Sequence, residues 1–240
     1  MYPQPQRQKP KTGAPKRQSQ TIVTKTCLIT GFDKFGDIKF NPTEHLVGAL
    51  PSQIRHKGSS IKVASAVLPT CCSGAWRKLR QIMDKEQPSV VVLTGLAQGR
   101  PLLTIERFAL NVRDYRIPDN RGHNWLGDAI VKNGPEAIRC PLPLEDMEKR
   151  LKKAGFPCDI SNHAGTFVCN ETYYRALEYH KDHPGVNIVF VHLPLPENFA
   201  KSVLSAKTKF KGSDLQTRQQ QVGLMTAAIL EVAKFCAEHG

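Results

Sequence analysis

Cys169 is the side chain whose type and position most directly suggest chemistry. It lies in the segment 162–174, where Gly165 permits a tight turn and Thr166 is a favourable helix N-cap. We therefore predict that Cys169 stands in the first turn of a helix, where the helix dipole favours a thiolate and lowers the pKa of the thiol below its free value of about 8.5. Position alone leaves two interpretations open, a nucleophile or a small buried hydrophobic residue.

A nucleophilic cysteine needs a base, and His192 is the best-placed histidine to supply one. The apolar run 186–191 predicts a buried strand that ends at His192, and open α/β sheets form their ligand sites at the carboxyl ends of strands. In a cysteine–histidine pair the imidazole takes the thiol proton, the thiolate attacks a carbonyl carbon, and the histidine then protonates the leaving amine. His163 is nearer to Cys169 in sequence, but nothing in the sequence fixes the direction of its side chain. His192 could itself be a buried core residue whose ring is hydrogen-bonded and takes no part in chemistry.

Two carboxylates could orient such a histidine. Glu106 and Asp114 lie on or beside the segment that follows the third predicted strand. Spacing does not choose between them, and either could instead be a surface acid paired with a neighbouring arginine. The sequence contains no phosphate-binding P-loop and no Cys/His spacing typical of a metal site, so we expect no cofactor and no metal.

The elements that must position these residues follow from alternating apolar runs and helical patterns. Strands are predicted at 26–30, 61–68, 89–94, 108–112 and 186–191, and helices starting at 42 and spanning 73–85, 144–154, 169–181 and 214–238. Strands that alternate with helices favour a largely parallel sheet covered on both faces. The sequence therefore predicts an α/β fold, a three-layer α/β/α sandwich with a mostly parallel central sheet.

Charge is distributed unevenly along the 240 residues, which carry a formal net charge of +13. Residues 1–25 contain six basic side chains, no acidic ones and many Pro, Gln and Ser, so we predict a disordered basic tail before a single domain at 26–240. A solubilising extension is the favoured interpretation of this tail. A weak contact with nucleic acid or with an acidic surface is the alternative.

Cysteine usage and hydropathy bear on location. The seven cysteines are odd in number and form no CxxC pair, which favours a reducing, cytoplasmic setting. No run approaches the roughly 18 apolar residues of a membrane helix, and the first residues form no apolar signal segment. We therefore expect a cytoplasmic protein without membrane contact, and a homo-oligomer is compatible with the sequence.

Four stretches of the sequence together resemble one enzyme family. They are 28–36 with Asn41-Pro42, 95–111 with 116–120, 164–170, and 191–194. Their order and spacing over residues 26–238 are similar to the pyroglutamyl peptidase I family, also called pyrrolidone-carboxylate peptidases, which are cysteine peptidases. The resemblance implies hydrolysis of the amide bond after an N-terminal pyroglutamyl residue, with pyroglutamyl peptides as substrates.

The resemblance also implies roles for individual residues. Cys169 would be the nucleophile, His192 the general acid and base, and Glu106 rather than Asp114 the third member. Arg116 falls where the family has an arginine near the oxyanion, which the backbone N–H of Cys169 would also stabilise. The implied substrate-binding residues are Phe32, Phe35, Asn41, Leu96, Ile117, Phe167 and Val168.

Two loop positions depart from the pattern of this family. Asp37 lies in a loop where the family usually has Pro and a second Gly, and Gln98 replaces a common glycine. We expect Gln98 to alter the geometry of its loop and the affinity for substrate. An alternative hypothesis is therefore a catalytically weak homologue that acts as a binding module through its basic tail.

Overall fold

Ten strands are present in the residues that the computed structural model describes, 25–206 and 208–239. They are β1 (Thr26–Phe32), β2 (Gln53–His56), β3 (Ser59–Leu68), β4 (Val90–Leu96), β5 (Leu103–Leu110), β6 (Arg113–Asp114), β7 (Leu126–Asp128), β8 (Ala137–Arg139), β9 (Cys158–His163) and β10 (Asn187–Leu193). Eight of them form one sheet in the order β2-β3-β1-β4-β10-β5-β8, with β9 paired to β5. β6 and β7 form a separate two-stranded sheet.

The centre of the large sheet is parallel. β1 pairs in parallel with β3 and β4, β4 with β10, and β5 with β9, whereas β2, β8 and the β10–β5 contact are antiparallel. β4 and β10 are buried at every position, as expected for strands covered on both faces. The antiparallel pairing of β10 with β5 matters most for the candidate site, because it brings His192 and Glu106 onto neighbouring strands.

Helices cover both faces of the sheet. In the described part of the chain they are α1 (Pro42–Gly48), α2 (Gly74–Glu86), α3 (Leu144–Lys153), α4 (Val168–Asp182), α5 (Pro196–Ser205) and α6 (Arg218–Glu238), with a short 3-10 helix at Gly212–Leu215. α2 and α4 pack against each other on one face, and α1, α3 and α5 pack against α6 on the other. The predicted three-layer α/β/α sandwich with a mostly parallel sheet is confirmed.

Several element boundaries differ from the prediction. The sequence analysis does not predict β9, because the sequence of this strand, CDISNH, is polar, and half-exposed strands of this kind resemble loops. β5 begins at Leu103, five residues before the strand predicted at 108–112, and it ends at Leu110. Glu106 therefore lies inside the strand. The predicted helix 214–238 is divided by Thr217, whose side chain forms a reciprocal capping box with Gln220 and starts α6 at Arg218.

Two further predictions meet the described residues only in part. The basic tail at 1–25 lies outside them except for Lys25, whose Nζ donates to the carbonyl of Ala237 at 2.7 Å. The tail and the domain boundary therefore stay predictions. Within 25–206 and 208–239, no helix combines the length and apolar character needed to cross a membrane.

Glu238 near the end of α6 joins three elements through its carboxylate. It accepts hydrogen bonds from His56 at 2.5 Å, from Lys57 at 2.6 Å and from Arg150 at 2.5 Å. Hydrogen bonds from Lys57 and Arg150 lower the pKa of Glu238 from about 4.5 to about 2. The carboxylate therefore holds the β2–β3 hairpin and α3 against the end of α6.

Glu238→Gln is expected to lower the thermal unfolding midpoint at pH 7 by about 2–4 °C, as a network worth about 1 kcal/mol would in a domain of this size. Because folding lowers this pKa, the stabilisation is present above pH 4.5 and is lost as the pH falls toward 2. The difference between variant and wild type should shrink over that interval in thermal melts. Glu178→Gln on α4 is the matched control, because Glu178 forms no ion pair within the described ranges, and an equal shift in both variants would contradict the network.

Candidate active site

Cys169 lies in the first turn of α4, as predicted from its turn. Gly165 has a φ of 79°, a backbone conformation that glycine adopts without strain. The helix N-cap is Phe167, which is extended, and the hydroxyl of Thr166 instead donates to the carbonyl of Asp114 at 2.7 Å. The predicted cap at Thr166 is therefore wrong by one residue, because its hydroxyl ties the turn to β6.

The thiol of Cys169 lies over the sheet at Gly95. A Cβ atom added to Gly95 would stand 2.8 Å from the Sγ of Cys169 and 2.9 Å from Cζ of Phe190. Gly95 is paired with His192 in the parallel register of β4 and β10. The missing side chain at position 95 therefore leaves the space in which the thiol lies, beside the strand position of His192.

His192 is held by Glu106 across the antiparallel β10–β5 contact. Thr104 is opposite His192, so Glu106, two residues further along β5, projects from the same face of the sheet. Nδ1 of His192 lies 2.6 Å from Oε1 of Glu106. Glu106 is fully buried and His192 is 5% exposed, so water does not compete for this contact. Among the described residues, no hydrogen bond joins the His192 ring to the Cys169 thiol.

The surroundings of Cys169 keep its thiol protonated. Burial, and to a smaller extent the negative charge of Glu106, raise the pKa of the thiol to about 12, although the charge of Arg100 and the backbone N–H of Cys169 act in the opposite direction. The expectation of a lowered pKa is therefore wrong. The helix position is as predicted, but the thiol faces the apolar sheet, and its desolvation exceeds the effect of the helix dipole.

Glu106 has partners that spacing could not reveal. Arg100 Nη1 donates to Oε1 of Glu106 at 2.5 Å, and the Tyr173 hydroxyl donates to the backbone carbonyl of Glu106 at 3.1 Å. Burial acts to raise the pKa of Glu106, but the hydrogen bond and charge of His192, a hydrogen bond from Ser161 and the charge of Arg100 together outweigh it and lower the pKa. The only sequence signal for Tyr173 is its spacing of four from Cys169, which places both on one side of α4.

An aromatic cluster lies beside the start of α4. The ring of Phe167 is 5.8 Å from that of Phe35 and 4.6 Å from that of Tyr115. Ile117, 44% exposed, places its Cδ1 3.3 Å from a Cβ that would be added to Gly36 in the same loop as Phe35. Three predicted substrate-binding residues, Phe35, Ile117 and Phe167, therefore lie on segments that meet in front of the thiol-bearing helix.

The loop after β1 is anchored by hydrogen bonds. Oδ1 of Asp33 accepts from the backbone N–H of Thr70 at 2.7 Å and from Nδ2 of Asn120 at 3.1 Å. Asn41 accepts from the N–H of Thr43 at 3.1 Å and donates to the carbonyl of Asp33 at 2.9 Å. The described contacts of Asn41 are therefore those of a helix cap that shapes the loop carrying Phe35.

The other predicted substrate-binding residues are more deeply placed. Phe32 and Val168 are 2% and 1% exposed, and each supports one of the segments that carry the aromatic cluster. Leu96 ends β4 opposite Leu193 of β10, one residue past the Gly95–His192 pair. Its backbone therefore lies at the carboxyl edge of the sheet, next to the thiol.

Arg116 and His163 differ in what surrounds them. The Arg116 side chain is exposed, and within the described ranges it makes no hydrogen bond and no ion pair. His163, the last residue of β9, accepts from the N–H of Gly165 at 3.2 Å through Nδ1, which places it in the turn before the aromatic cluster. The structure thus connects His163 to the turn rather than to the thiol, and leaves Arg116 free to contact a bound substrate.

The loop around Gln98 is an ordinary turn. The N–H of Arg100 donates to the carbonyl of Ala97 at 3.1 Å, and Gln98 is exposed. Neither Gln98 nor Gly99 has a positive φ. Position 98 therefore has no backbone requirement for glycine, and the expected effect of Gln98 on the loop and on substrate affinity stays a prediction.

Gly95→Ala is expected to lower kcat by about 10- to 100-fold, because the new methyl group would displace Sγ of Cys169. The measurement is steady-state turnover of a peptide amide by the folded, reduced variant. Gly99→Ala is the matched control, since nothing lies within 4 Å of a Cβ at Gly99. Full activity of Gly95→Ala would show that the thiol does not need the space above Gly95.

The fold and this cluster define a class of protein. It is an α/β sandwich in which a cysteine at the start of a helix lies on a sheet face, next to a histidine hydrogen-bonded to a buried carboxylate. Within the described residues no group of His, Cys, Asp and Glu is arranged to hold a metal ion. A cysteine beside a histidine that is paired with a carboxylate is the arrangement that thiol hydrolases use.

Comparisons with known proteins place the chain within that class. The model of the family described as Pyroglutamyl peptidase matches residues 25–233. The chain is 34% identical to the pyrrolidone-carboxylate peptidase of Bacillus velezensis over 211 residues, covering 87% of this chain and 95% of the relative. It is 39% identical to that of Finegoldia magna over 176 residues, covering 71% and 79%.

Solved structures show the same relationship. Pyroglutamyl peptidase I of Bacillus amyloliquefaciens superposes with a TM-score of 0.72 at 31% identity, covering 87% of this chain and 97% of that one. A variant of the Pyrococcus furiosus pyrrolidone carboxyl peptidase gives a TM-score of 0.74 at 30% identity, covering 89% and 99%. The chain therefore belongs to the pyroglutamyl peptidase family, and it is a cysteine peptidase and a hydrolase of that family.

Proposed function

We propose that this peptidase hydrolyses the amide bond after an N-terminal pyroglutamyl residue by using Cys169 as nucleophile, His192 as general acid and base, and Glu106 as the orienting carboxylate. The observation that carries the proposal is the 2.6 Å contact of His192 Nδ1 with Glu106, on the sheet face where the Cys169 thiol lies over Gly95. Family membership supplies the substrate class.

The hydrogen bond to Glu106 sets the direction of proton transfer. When Nδ1–H donates to the carboxylate, Nε2 keeps its lone pair and can act as the base. Because the pKa of the Cys169 thiol is raised to about 12, the proton moves to Nε2 as the sulfur attacks, rather than beforehand. Glu106 then stabilises the imidazolium that forms.

The covalent steps follow from this proton position. Sγ of Cys169 bonds to the carbonyl carbon, and the carbonyl oxygen takes the electron pair and becomes an oxyanion. Collapse of this intermediate breaks the C–N bond, and Nε2–H of His192 protonates the departing amine. Water then attacks the thioester carbon and gives one proton to Nε2. Collapse of this second intermediate breaks the C–S bond and releases pyroglutamate, and the proton on Nε2 returns to the sulfur.

Stabilisation of the oxyanion is assigned to the start of α4. The N–H of Cys169 is one of the first four N–H groups of the helix, which have no acceptor within the helix. Such groups stabilise developing negative charge at the positive end of the helix dipole. Arg116 is proposed as the second donor, and its exposed side chain is not engaged by another described residue.

The proposed substrate pocket suits a small neutral ring. Phe35, Ile117 and Phe167 would contact the methylenes of the lactam, and the backbone at Leu96 would pair with its polar atoms. A free N-terminal ammonium placed there would lose its water without gaining a partner, at a cost of several kcal/mol. The pocket should therefore accept a blocked pyroglutamyl residue and reject an ordinary N-terminus.

The experiment is a fluorogenic pyroglutamyl amide assay on reduced protein, with and without prior alkylation by iodoacetamide. Prolyl and glutaminyl amides of the same fluorophore are the matched substrates, because each keeps the size and adds a free amine. We expect turnover of the pyroglutamyl amide alone, and its loss after alkylation. Folded, reduced protein without turnover, or equal turnover of the prolyl amide, would overturn the proposal.

A further inference from the structure

Arg100 makes a contact with the candidate site that the mechanism above does not use. It follows β4 in the turn that begins at Ala97, and its side chain is 30% exposed. Nη1 donates both to Oε1 of Glu106, at 2.5 Å, and to the hydroxyl of Thr104. We propose that Arg100 is a positioning residue that keeps Glu106 ionised and directed at His192, and that it thereby supports transfer of the Cys169 proton.

The proposal rests on the proposed function and on how the Glu106 carboxylate is used. Its Oε1 accepts from both Arg100 and His192, whereas Oε2 is buried without a hydrogen-bond partner among the described residues. The hydrogen bonds from Arg100 and His192 therefore share one oxygen of this carboxylate. Thr104 pairs with His192 in the sheet, and its hydroxyl accepts a hydrogen bond from Arg100. The Arg100 side chain is therefore held beside the strand position of His192.

The charge balance gives Arg100 a specific task. While His192 is neutral, Arg100 is the single permanent cation paired with buried Glu106 in the described ranges. A buried carboxylate without a cation tends to take up a proton, and a protonated Glu106 could no longer stabilise an imidazolium. The charge of Arg100 acts to lower the pKa of both Glu106 and Cys169.

The groups around this pair can be named for each packed element. α4 contributes the titratable side chains of Cys169 and Tyr173, and β10 contributes His192. β4 contributes no titratable group at Gly95, and β9 contributes the Ser161 hydroxyl, which is opposite Glu106 and also acts to lower its pKa. Loss of the Arg100 charge should therefore shift the ionisation of the Glu106–His192 pair to higher pH.

A purely structural role for Arg100 is the competing explanation. Its contacts with Thr104 and Glu106 also fasten the turn at Ala97–Arg100 to β5, and breaking them could loosen the loop. Such a loosening would lower activity without changing the pH at which the Glu106–His192 pair takes up a proton. The acid limb of the kcat/KM profile, which reports the ionisation of that pair, therefore separates the two explanations.

The experiment compares Arg100→Gln, Arg100→Lys and Arg107→Gln in the full-length protein. kcat and KM for a pyroglutamyl amide are measured against pH, and thermal unfolding shows that each variant is folded. Arg107→Gln is the matched control, because it removes the same charge from a residue that is next to Glu106 in sequence but pairs with Glu145 at 2.9 Å.

Arg100→Gln is expected to move the acid limb of the kcat/KM profile to higher pH by about 0.5–1 unit, because the Glu106–His192 pair takes up a proton more easily without the nearby cation. It should also lower kcat at pH 7 by about 10- to 100-fold, with KM within twofold. Arg100→Lys should keep the acid limb, and Arg107→Gln should match wild type. An unshifted acid limb in Arg100→Gln would overturn the proposal. If that variant does not fold, Arg100→Lys decides, and a shifted acid limb in it would equally overturn the proposal. Wild-type protein without peptidase turnover would contradict the proposed function, whereas an active wild type with an unshifted variant contradicts only the role of Arg100.

Discussion

Cys169→Ala is expected to abolish hydrolysis of a pyroglutamyl amide, with kcat reduced by at least about 10³-fold. Loss of the nucleophile removes the covalent route, and the remaining oxyanion donors and pocket can supply only a small part of the rate enhancement. The fold should persist, because the deleted sulfur is half-buried and its removal costs about 1 kcal/mol. Turnover and thermal unfolding measured on the same preparation check both statements.

The matched control for this substitution is Cys72→Ala. Cys72 is also half-buried, but its sulfur contacts Arg113 and Glu171 at 3.7 Å instead of Gly95 and the His192 strand. Cys72→Ala should retain turnover within about threefold, and Cys169→Ser should resemble Cys169→Ala, since an alcohol is much harder to deprotonate than a thiol. More than 1% residual turnover in Cys169→Ala would contradict the assignment of the nucleophile.

The sheet could be predicted where its strands are continuously apolar. β4 and β10 are buried along their whole length, and their β-branched composition identifies them without knowledge of the fold. β9 and the first half of β5 could not be found in this way. β5 contains Glu106 and Arg107 in its centre, and the burial of Glu106 is explained by partners on the next strand and turn.

The candidate site could be predicted as a set of residue types but not as an environment. The turn at Gly165 identifies the helix that carries Cys169. The sequence predicts a lowered pKa for the Cys169 thiol, which is wrong, because the sequence does not show that Sγ lies against the sheet at Gly95, 74 positions earlier. The same reason hides the role of Gly95 itself, since a strand glycine carries no signal of which distant side chain lies over it.

Arg100 shows a further limit of sequence reasoning. Its contact with Glu106 depends on how β4, β5 and β10 are ordered in the sheet, which the sequence does not show. A carboxylate in the middle of an apolar strand is itself a signal, because such a group is rarely buried without a partner. That signal points to Glu106, but it does not identify the arginine.

Glu106→Gln is expected to lower kcat by about 10²–10⁴-fold with little change in KM. The amide keeps the shape of the carboxylate but not its charge, so it can no longer stabilise an imidazolium at His192. If its nitrogen faces Nδ1, the hydrogen bond at 2.6 Å also selects the wrong tautomer, and Nε2 loses the lone pair needed as base. Turnover against pH measures the loss, and Glu145→Gln, which breaks the exposed ion pair with Arg107, is the matched control.

Combining this change with Arg100→Gln tests whether the two residues act as one unit. Because Arg100 is proposed to act through the carboxylate, its removal should cost little further activity once Glu106 is already Gln. The double variant is expected to regain some stability, since Glu106→Gln alone leaves Arg100 without its anionic partner. Losses that simply multiply would show that Arg100 supports the reaction independently of Glu106, and turnover by Glu106→Gln above a tenth of wild type would show that His192 does not depend on the carboxylate.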